Sequence, residues 1–153
     1  MNILFISSEY HPFAKAGGLA DAVSSLAQAL AARDHTVSVV LPRYGSISTD
    51  SMTSLDMPLG VPLGYREEWC GVFHQVHQGV NLYFLEHQAL FGGRDGVYGP
   101  TPASAYDDNA RRYAFLSRGA LQLSLALGLD PEVIHAHDWP TALVPAYINL
   151  SYG

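Results

Sequence analysis

The fold of this chain is constrained most by two short, continuously apolar segments that flank an amphipathic segment. Residues 2–8 (NILFISS) and 35–41 (HTVSVVL) are β-rich and apolar on successive positions, which is typical of strands buried on both faces of a parallel sheet. Between them, apolar residues recur at three- and four-residue spacing from Gly18 to about Arg33, which predicts a helix. The order strand, helix, strand implies a right-handed crossover.

The rest of the chain continues this alternation of strands and helices. Stretches 46–64 and 90–104 are rich in Gly, Pro, Ser and Thr and are predicted to be irregular. The other predicted elements are a hairpin or pair of sheet strands over residues 65–77 and 80–86, a long helix over 106–127 ended by Gly128, a strand over 133–137, and a last helix from Pro140 to about Leu150.

The pattern as a whole predicts an open, doubly wound α/β sheet. In such sheets, ligands bind beyond the carboxyl ends of the strands. Two polar segments lie at such ends: Lys15-Ala-Gly-Gly after the first strand and His137-Asp138-Trp139 after the last. We therefore expect a ligand site where these segments meet.

The composition excludes several classes of partner. The net charge is −6 and the eight Lys and Arg residues are scattered, so no basic stripe is present to bind nucleic acid. No window reaches 18 apolar residues, which predicts no membrane-spanning helix, and the single cysteine, Cys70, allows no internal disulfide. We expect a cytoplasmic protein. Charged residues make up only 14% of the chain, against about a quarter in ordinary domains, which indicates that part of the surface meets another domain.

The segment Lys15-Ala-Gly-Gly opens the first predicted helix. Paired glycines let backbone N–H groups approach a ligand closely, and a helix N-terminus directs unpaired N–H groups and its positive dipole end to the same point. The residue order matches neither the Gly-Lys-Ser/Thr phosphate loop nor the G-x-G-x-x-G dinucleotide loop. Two interpretations stand side by side: an anion-binding turn, and a tight structural turn with an exposed lysine.

Five segments in order carry a resemblance to a known family. They are SSEYHPFAKAGGLADAVSSL, LPRYGSI, LFGGRDGVYG, YDDNARRYAFLSRGAL and VIHAHDWPTALVPAY. With them the chain resembles, over essentially its whole length, the bacterial glycogen synthases and plant starch synthases, the retaining glycosyltransferases of family 5. One position departs from the family pattern, because Pro140 stands where His or Gln commonly follows the tryptophan.

The resemblance implies an architecture and an activity. The family has two Rossmann-like domains that face each other across a cleft, the GT-B arrangement, and residues 1–153 are similar to most of the first. The implied reaction transfers glucose from ADP-glucose to the nonreducing end of an α-1,4-glucan such as glycogen, with retention and with no cofactor or metal. The C-terminal nucleotide-binding domain is expected to lie outside these residues, which leaves the chain alone inactive. The alternative is a noncatalytic module that binds glucan or pairs with another domain.

The resemblance assigns roles to the first loop. Lys15 matches the family lysine that contacts the sugar-nucleotide phosphate, with Gly17 and Gly18 allowing close backbone approach. Asp21 matches the acidic residue that follows, for which a catalytic role and a favourable charge in the first helical turn are equally supported. Glu9 is a substrate-binding candidate at the end of the first strand, with an ordinary hydrogen-bonded glutamate as the alternative.

The long loop, residues 90–104, and the last strand supply the remaining candidates. Tyr98 resembles a tyrosine near the sugar nucleotide, or else packs its ring in the loop. Asp138 resembles an aspartate near the reacting glucosyl unit, although its position also suits a helix N-cap. Trp139 is expected to stack on a sugar ring or to pack beneath the last helix. His137 is a further substrate-binding candidate that shares a strand face with His135, but no third ligand stands at a metal-binding spacing, so no metal is predicted.

Overall fold

The two apolar runs form the centre of a mixed sheet in the computed structural model, which describes residues 1–152 of the chain. Their side chains are buried because neighbouring strands and helices cover them, as continuous apolar runs require. In chain order, the elements are β1 (Asn2–Ile6), α1 (Gly18–Ala31), β2 (Thr36–Pro42), β3 (Thr53–Ser54), β4 (Leu59–Leu63), β5 (Arg66–His77), β6 (Val80–Glu86), α2 (Asn109–Leu127), β7 (Val133–Ala136) and α3 (Val144–Ser151).

The sheet order is β3-β5-β6-β2-β1-β7, and β4 pairs with the first half of β5. Strands β6, β2, β1 and β7 run parallel to one another, whereas β5 is antiparallel to β6. In the centre, Phe5 lies opposite Val39 on one side and His135 on the other. This architecture confirms the predicted α/β class, with an antiparallel extension at one edge.

Both long helices agree with the sequence pattern. Helix α1 begins at Gly18, as predicted, and buries Ala20, Val23 and Ala27. Helix α2 ends at Gly128, whose φ of 63° is the left-handed conformation that glycine adopts without strain. Helix α2 begins at Asn109, three residues later than predicted, and ahead of it the backbone N–H of Tyr106 is paired with the carbonyl of Tyr98.

Three stretches differ from the sequence-based interpretation. The stretch 46–64 contains β4, because alternate residues Leu59 and Val61 are buried and α2 lies over this strand, with Gln122 hydrogen-bonded to the carbonyl of Gly60. The stretch 90–104 is preceded by a π-helical turn, Gln88–Gly92, that extends into it. The last helix does not begin at Pro140, which lies in a 3₁₀ turn over Trp139–Thr141 ahead of α3.

The loops after β1, β2, β6 and β7 all emerge at the carboxyl edge of the parallel strands. Residues from all four loops therefore meet at one edge of the sheet, where ligands bind in folds of this kind. Within residues 1–152, no helix has the length and apolar character needed to cross a membrane.

Candidate functional site

A cleft of about 780 Å³ lies at the carboxyl edge of the sheet, between the loops that follow β1, β6 and β7. All of the predicted site residues except Asp21 and His137 line it. A second depression of about 640 Å³, beside β5 around Trp69 and Cys70, contains none of them. The fold thus brings most of the predicted residues to one place, from distant parts of the chain.

Lys15 and Asp21 form an ion pair at the entrance to α1. Nζ of Lys15 donates a hydrogen bond to Oδ2 of Asp21 at 2.6 Å, and Nδ1 of His11 lies 3.6 Å from Oδ1 of Asp21. About half of each side chain of the Lys15–Asp21 pair is exposed. The hydrogen bond from Lys15 lowers the pKa of Asp21, so this carboxylate stays charged at neutral pH and holds the lysine over the start of the helix.

Neither the backbone conformation nor the packing at positions 17 and 18 requires glycine. Gly17 has a φ of −160°, an ordinary extended conformation, and Gly18 is the first residue of α1. A Cβ atom added at either position would meet no heavy atom of residues 1–152 within 4 Å. Since no described residue fills this space, the missing side chains leave the backbone open to close approach by a ligand.

Glu9 is buried, with 3% of its surface exposed. Its Oε1 atom accepts hydrogen bonds from the backbone N–H groups of Ala16 at 2.7 Å and Gly17 at 2.9 Å, and Oε2 accepts one from the hydroxyl of Tyr98 at 2.6 Å. The amide of Gly17 is therefore engaged within the protein. The amides that remain without a partner inside the helix are those of the first turn of α1, which starts at Gly18.

Tyr98 joins the long loop to the end of β1 and to the segment after β7. Its hydroxyl donates to Glu9 and accepts from Ser8, whose Oγ lies 2.8 Å away. Its ring packs at 5.4 Å from that of Trp139 and at 6.0 Å from that of Tyr113. Burial, and then the hydrogen bond to the Glu9 carboxylate, raise the pKa of Tyr98, so the phenol remains a donor at physiological pH.

Asp138 and Trp139 form the opposite end of the cleft. Asp138 has φ 64° and ψ −175°, a region that is essentially restricted to glycine. Its Oδ1 accepts a hydrogen bond from the N–H of Trp139 at 2.7 Å, so the helix-cap interpretation applies to the 3₁₀ turn. Trp139 is 53% exposed, and its ring therefore offers a surface to the cleft rather than lying beneath the last helix.

His137 lies outside the cleft lining. It is 8% exposed, its Nε2 atom has no hydrogen-bond partner within the described residues, and its ring stacks on that of His135 at 3.8 Å. This stacking confirms that the two histidines share a face of the strand. Burial, and then the neighbouring His135, lower the pKa of His137 to about 4. Within residues 1–152, no group of three or more His, Cys, Asp and Glu side chains is arranged to hold a metal ion.

Sequence reasoning missed the residue that shapes the long loop, Arg112. This residue of α2 is fully buried, and it donates to the carbonyls of Leu90 at 2.7 Å and Val97 at 2.8 Å. Its guanidinium lies 4.5 Å from the centre of the Tyr106 ring. The available signal was its position four residues before Leu116, on the apolar side of α2, where an arginine is unusual.

Comparison with known proteins identifies the family. The family model for the starch synthase catalytic domain matches residues 2–153. The chain belongs to the starch synthase catalytic domain family. It is 47% identical over 153 residues to a glycogen synthase of Anaeromyxobacter sp. strain Fw109-5, covering 100% of this chain and 31% of the relative. It is 40% identical to a glycogen synthase of Treponema denticola, covering 99% of this chain and 31% of the relative.

A solved structure of a related enzyme shares the fold of this chain. The catalytic domain of starch synthase IV from Arabidopsis thaliana, bound to ADP and acarbose, superposes with a TM-score of 0.85 at 32% identity, over 97% of this chain and 30% of that one. The match supports the Rossmann-like, GT-B assignment of the sheet. The chain spans about a third of the length of the relatives it matches.

Proposed function

We propose that the chain forms the N-terminal, donor-facing wall of a glycogen synthase that transfers glucose from ADP-glucose to the nonreducing end of an α-1,4-glucan with retention. The observation that carries this proposal is the open glycine pair beside Lys15 at the start of α1. Membership of the starch synthase family and the glycogen synthase relatives support it. The related Arabidopsis structure, bound to ADP and acarbose, supports an ADP-linked donor and a glucan acceptor.

The proposed role of the first loop is to bind the diphosphate of the donor. The leaving diphosphate gains negative charge as the glycosidic bond breaks, so fixed donors directed at it accelerate the step. A helix dipole contributes only about 0.3–1 kcal/mol at an exposed site, whereas a hydrogen bond to a charged group contributes about 1.5–3 kcal/mol. Lys15 and the first-turn amides of α1 should therefore dominate the binding energy.

Asp21 has a supporting role in this proposal. Its carboxylate lies 2.6 Å from Nζ of Lys15 and is therefore placed to hold the ammonium group near the start of α1 before the donor arrives. A phosphate oxygen would then share the lysine with Asp21. Replacing Asp21 should weaken donor binding less than replacing Lys15, because the positive charge itself remains.

The other end of the cleft is proposed to face the glucosyl group. The reacting carbon becomes oxocarbenium-like as the bond breaks, and the carboxylate of Asp138 would stabilise positive charge there. The exposed ring of Trp139 would contact a sugar face. We assign His137 no direct contact, because its ring is buried against His135 and Phe5.

A second domain is proposed to complete the site. The chain covers only 31% of the glycogen synthases it resembles, and we propose that the remaining segment supplies the opposite wall of the cleft and most contacts to the nucleotide base. Base selectivity would then belong to that segment. We also propose a cytoplasmic enzyme, because its one cysteine, Cys70, is a buried free thiol that suits a reducing compartment.

A chimera tests this function directly. The chain replaces the matching segment of the Anaeromyxobacter glycogen synthase, and transfer of labelled glucose to glycogen is measured with ADP-glucose and with UDP-glucose. We expect transfer by the chimera, with the base preference of the segment that the relative supplies, and none from the 153 residues alone. Transfer by the isolated chain would refute the two-wall proposal, and an inactive but folded chimera would refute the assigned activity.

A further inference from the structure

The carboxylate of Glu9 joins two loops that form separate parts of the cleft. One oxygen holds the backbone N–H groups of Ala16 and Gly17 in the loop after β1, and the other holds the hydroxyl of Tyr98 in the loop after β6. Glu9 and Tyr98 are 89 positions apart in the sequence. This carboxylate is thus the point at which the Lys15 loop and the long loop are tied together.

The backbone of Glu9 is itself fixed. Its N–H donates to Oγ of Ser7 at 3.2 Å, and its carbonyl accepts from the same hydroxyl at 2.8 Å. The N–H of Ser7 in turn donates to the carbonyl of Val40 in β2 at 3.1 Å. The side chain of Glu9 therefore projects from a rigid part of the sheet edge, and it can set the position of the more exposed loop residues that it binds.

The carboxylate of Glu9 is committed to these internal donors. It accepts three hydrogen bonds, is 3% exposed, and has no ion-pair partner among residues 1–152. The nearby Lys15 pairs with Asp21 instead. Little capacity is left for a substrate hydroxyl or a second cation, since a carboxylate offers about four lone-pair sites.

We propose that Glu9 is a positioning residue, which with Tyr98 holds the Lys15–Gly18 loop in the geometry that accepts the donor diphosphate and does not itself touch substrate. The inference rests on the proposed function and gives Glu9 a role distinct from substrate binding. Lys15 and the first-turn amides of α1 are one to a few residues from the amides that Glu9 holds. A released loop would misplace them, and a misplacement of about 1 Å can lower a rate about 10²-fold.

Variants of Glu9 and Tyr98 in the chimera separate positioning from catalysis. Glu9→Gln keeps one carbonyl oxygen for the two amides, and its NH₂ group can donate to Tyr98, which can donate to Ser8 in turn. We expect Glu9→Gln to lower kcat/KM for the donor by less than about tenfold, and Glu9→Ala to lower it by about 10²-fold. If Glu9 acted on substrate through its charge, Gln and Ala would be equally damaging, and that result would overturn the proposal.

A double-mutant cycle tests the link to Tyr98. Because Tyr98→Phe and Glu9→Ala break the same hydrogen bond, the double variant should be no worse than Glu9→Ala alone. Multiplying effects would show that the two residues act independently and would contradict the proposal. Glu67→Gln and Tyr65→Phe, at exposed positions of the β4–β5 hairpin, are matched controls that should leave kcat and KM unchanged.

Amide hydrogen exchange of the 153-residue chain tests the same link without activity. Glu9→Ala should remove protection from the Ala16 and Gly17 amides, whereas Glu9→Gln should retain most of it. Unchanged protection in Glu9→Ala would overturn the inference even if the chimera is active. Lost protection together with an inactive unmodified chimera would support the link while refuting the proposed glucosyl transfer.

Discussion

Arg111 and Arg112 are adjacent in α2, yet Arg111 extends to Glu68 at the surface while Arg112 is fully buried beneath the long loop. Arg112→Ala should lower the free energy of unfolding by about 3 kcal/mol or more, because the carbonyl of Leu90 loses its donor, that of Val97 is left with the hydroxyl of Tyr113, and a cavity remains. Arg111→Ala, the matched control, should cost at most about 1 kcal/mol. Urea unfolding measures both, and equal losses would contradict the role assigned to Arg112.

The open space at Gly17 and Gly18 distinguishes a ligand site from a structural turn. Gly17→Ala and Gly18→Ala should leave the melting temperature of the chain within a few degrees, since their Cβ atoms meet nothing within 4 Å, but should raise the KM of the chimera for ADP-glucose. As a contrast, a Cβ at Gly99 would lie 2.0 Å from the carbonyl oxygen of Ser104, so Gly99→Ala should destabilise the fold. A loss of stability at Gly17 and Gly18 with an unchanged KM would support the structural interpretation.

The buried His137 makes stability depend on pH. Its pKa is about 4 in the folded chain against 6.5 for an ordinary histidine, so between these values the unfolded chain binds the extra proton. Stability should therefore fall as the pH drops from 6.5 to 4, by up to about 3 kcal/mol. Unfolding curves of His137→Leu should show a shallower decline over this range. Identical slopes for the parent chain and His137→Leu would refute the assignment.

Asp138 has a backbone conformation that costs an ordinary residue about 1–3 kcal/mol. Asp138→Gly should therefore preserve or raise the stability of the chain despite the lost cap on Trp139, and should lower transfer by the chimera at least about tenfold because the carboxylate is gone. Asp34→Gly, at another position of positive φ and outside the cleft, should gain stability without affecting transfer. Glucose transfer by the Asp138→Gly chimera at the unmodified rate would show that Asp138 acts only as a cap of the 3₁₀ turn.

The local pattern of the sequence was sufficient to predict the central elements and the edge of the sheet at which most candidate site residues lie. The continuous apolar runs predicted β1 and β2, and the three- and four-residue spacing of apolar residues predicted α1. The parallel order of the strands brought the Lys15 loop and Asp138 to one edge of the sheet. Strand β4 was missed because Gly60 and Pro62, two residue types that are depleted in strands, lie between its alternating apolar residues, and its pairing with β5 stabilises it. The hydrogen bond between Glu9 and Tyr98 joins residues that are 89 positions apart in the sequence, and no local periodicity predicts such a contact.

Transfer of labelled glucose from ADP-glucose to glycogen by the chimera, with and without Lys15→Ala, tests the central claim most directly. Lys15 is exposed and, among residues 1–152, pairs only with the exposed Asp21, so its loss should not affect folding. Arg33→Ala, two residues beyond the end of α1, is the matched control. We predict that Lys15→Ala lowers turnover about 10²-fold or more while Arg33→Ala has no effect. Turnover of the Lys15→Ala chimera at the unmodified rate would contradict the claim that this loop binds the donor phosphate.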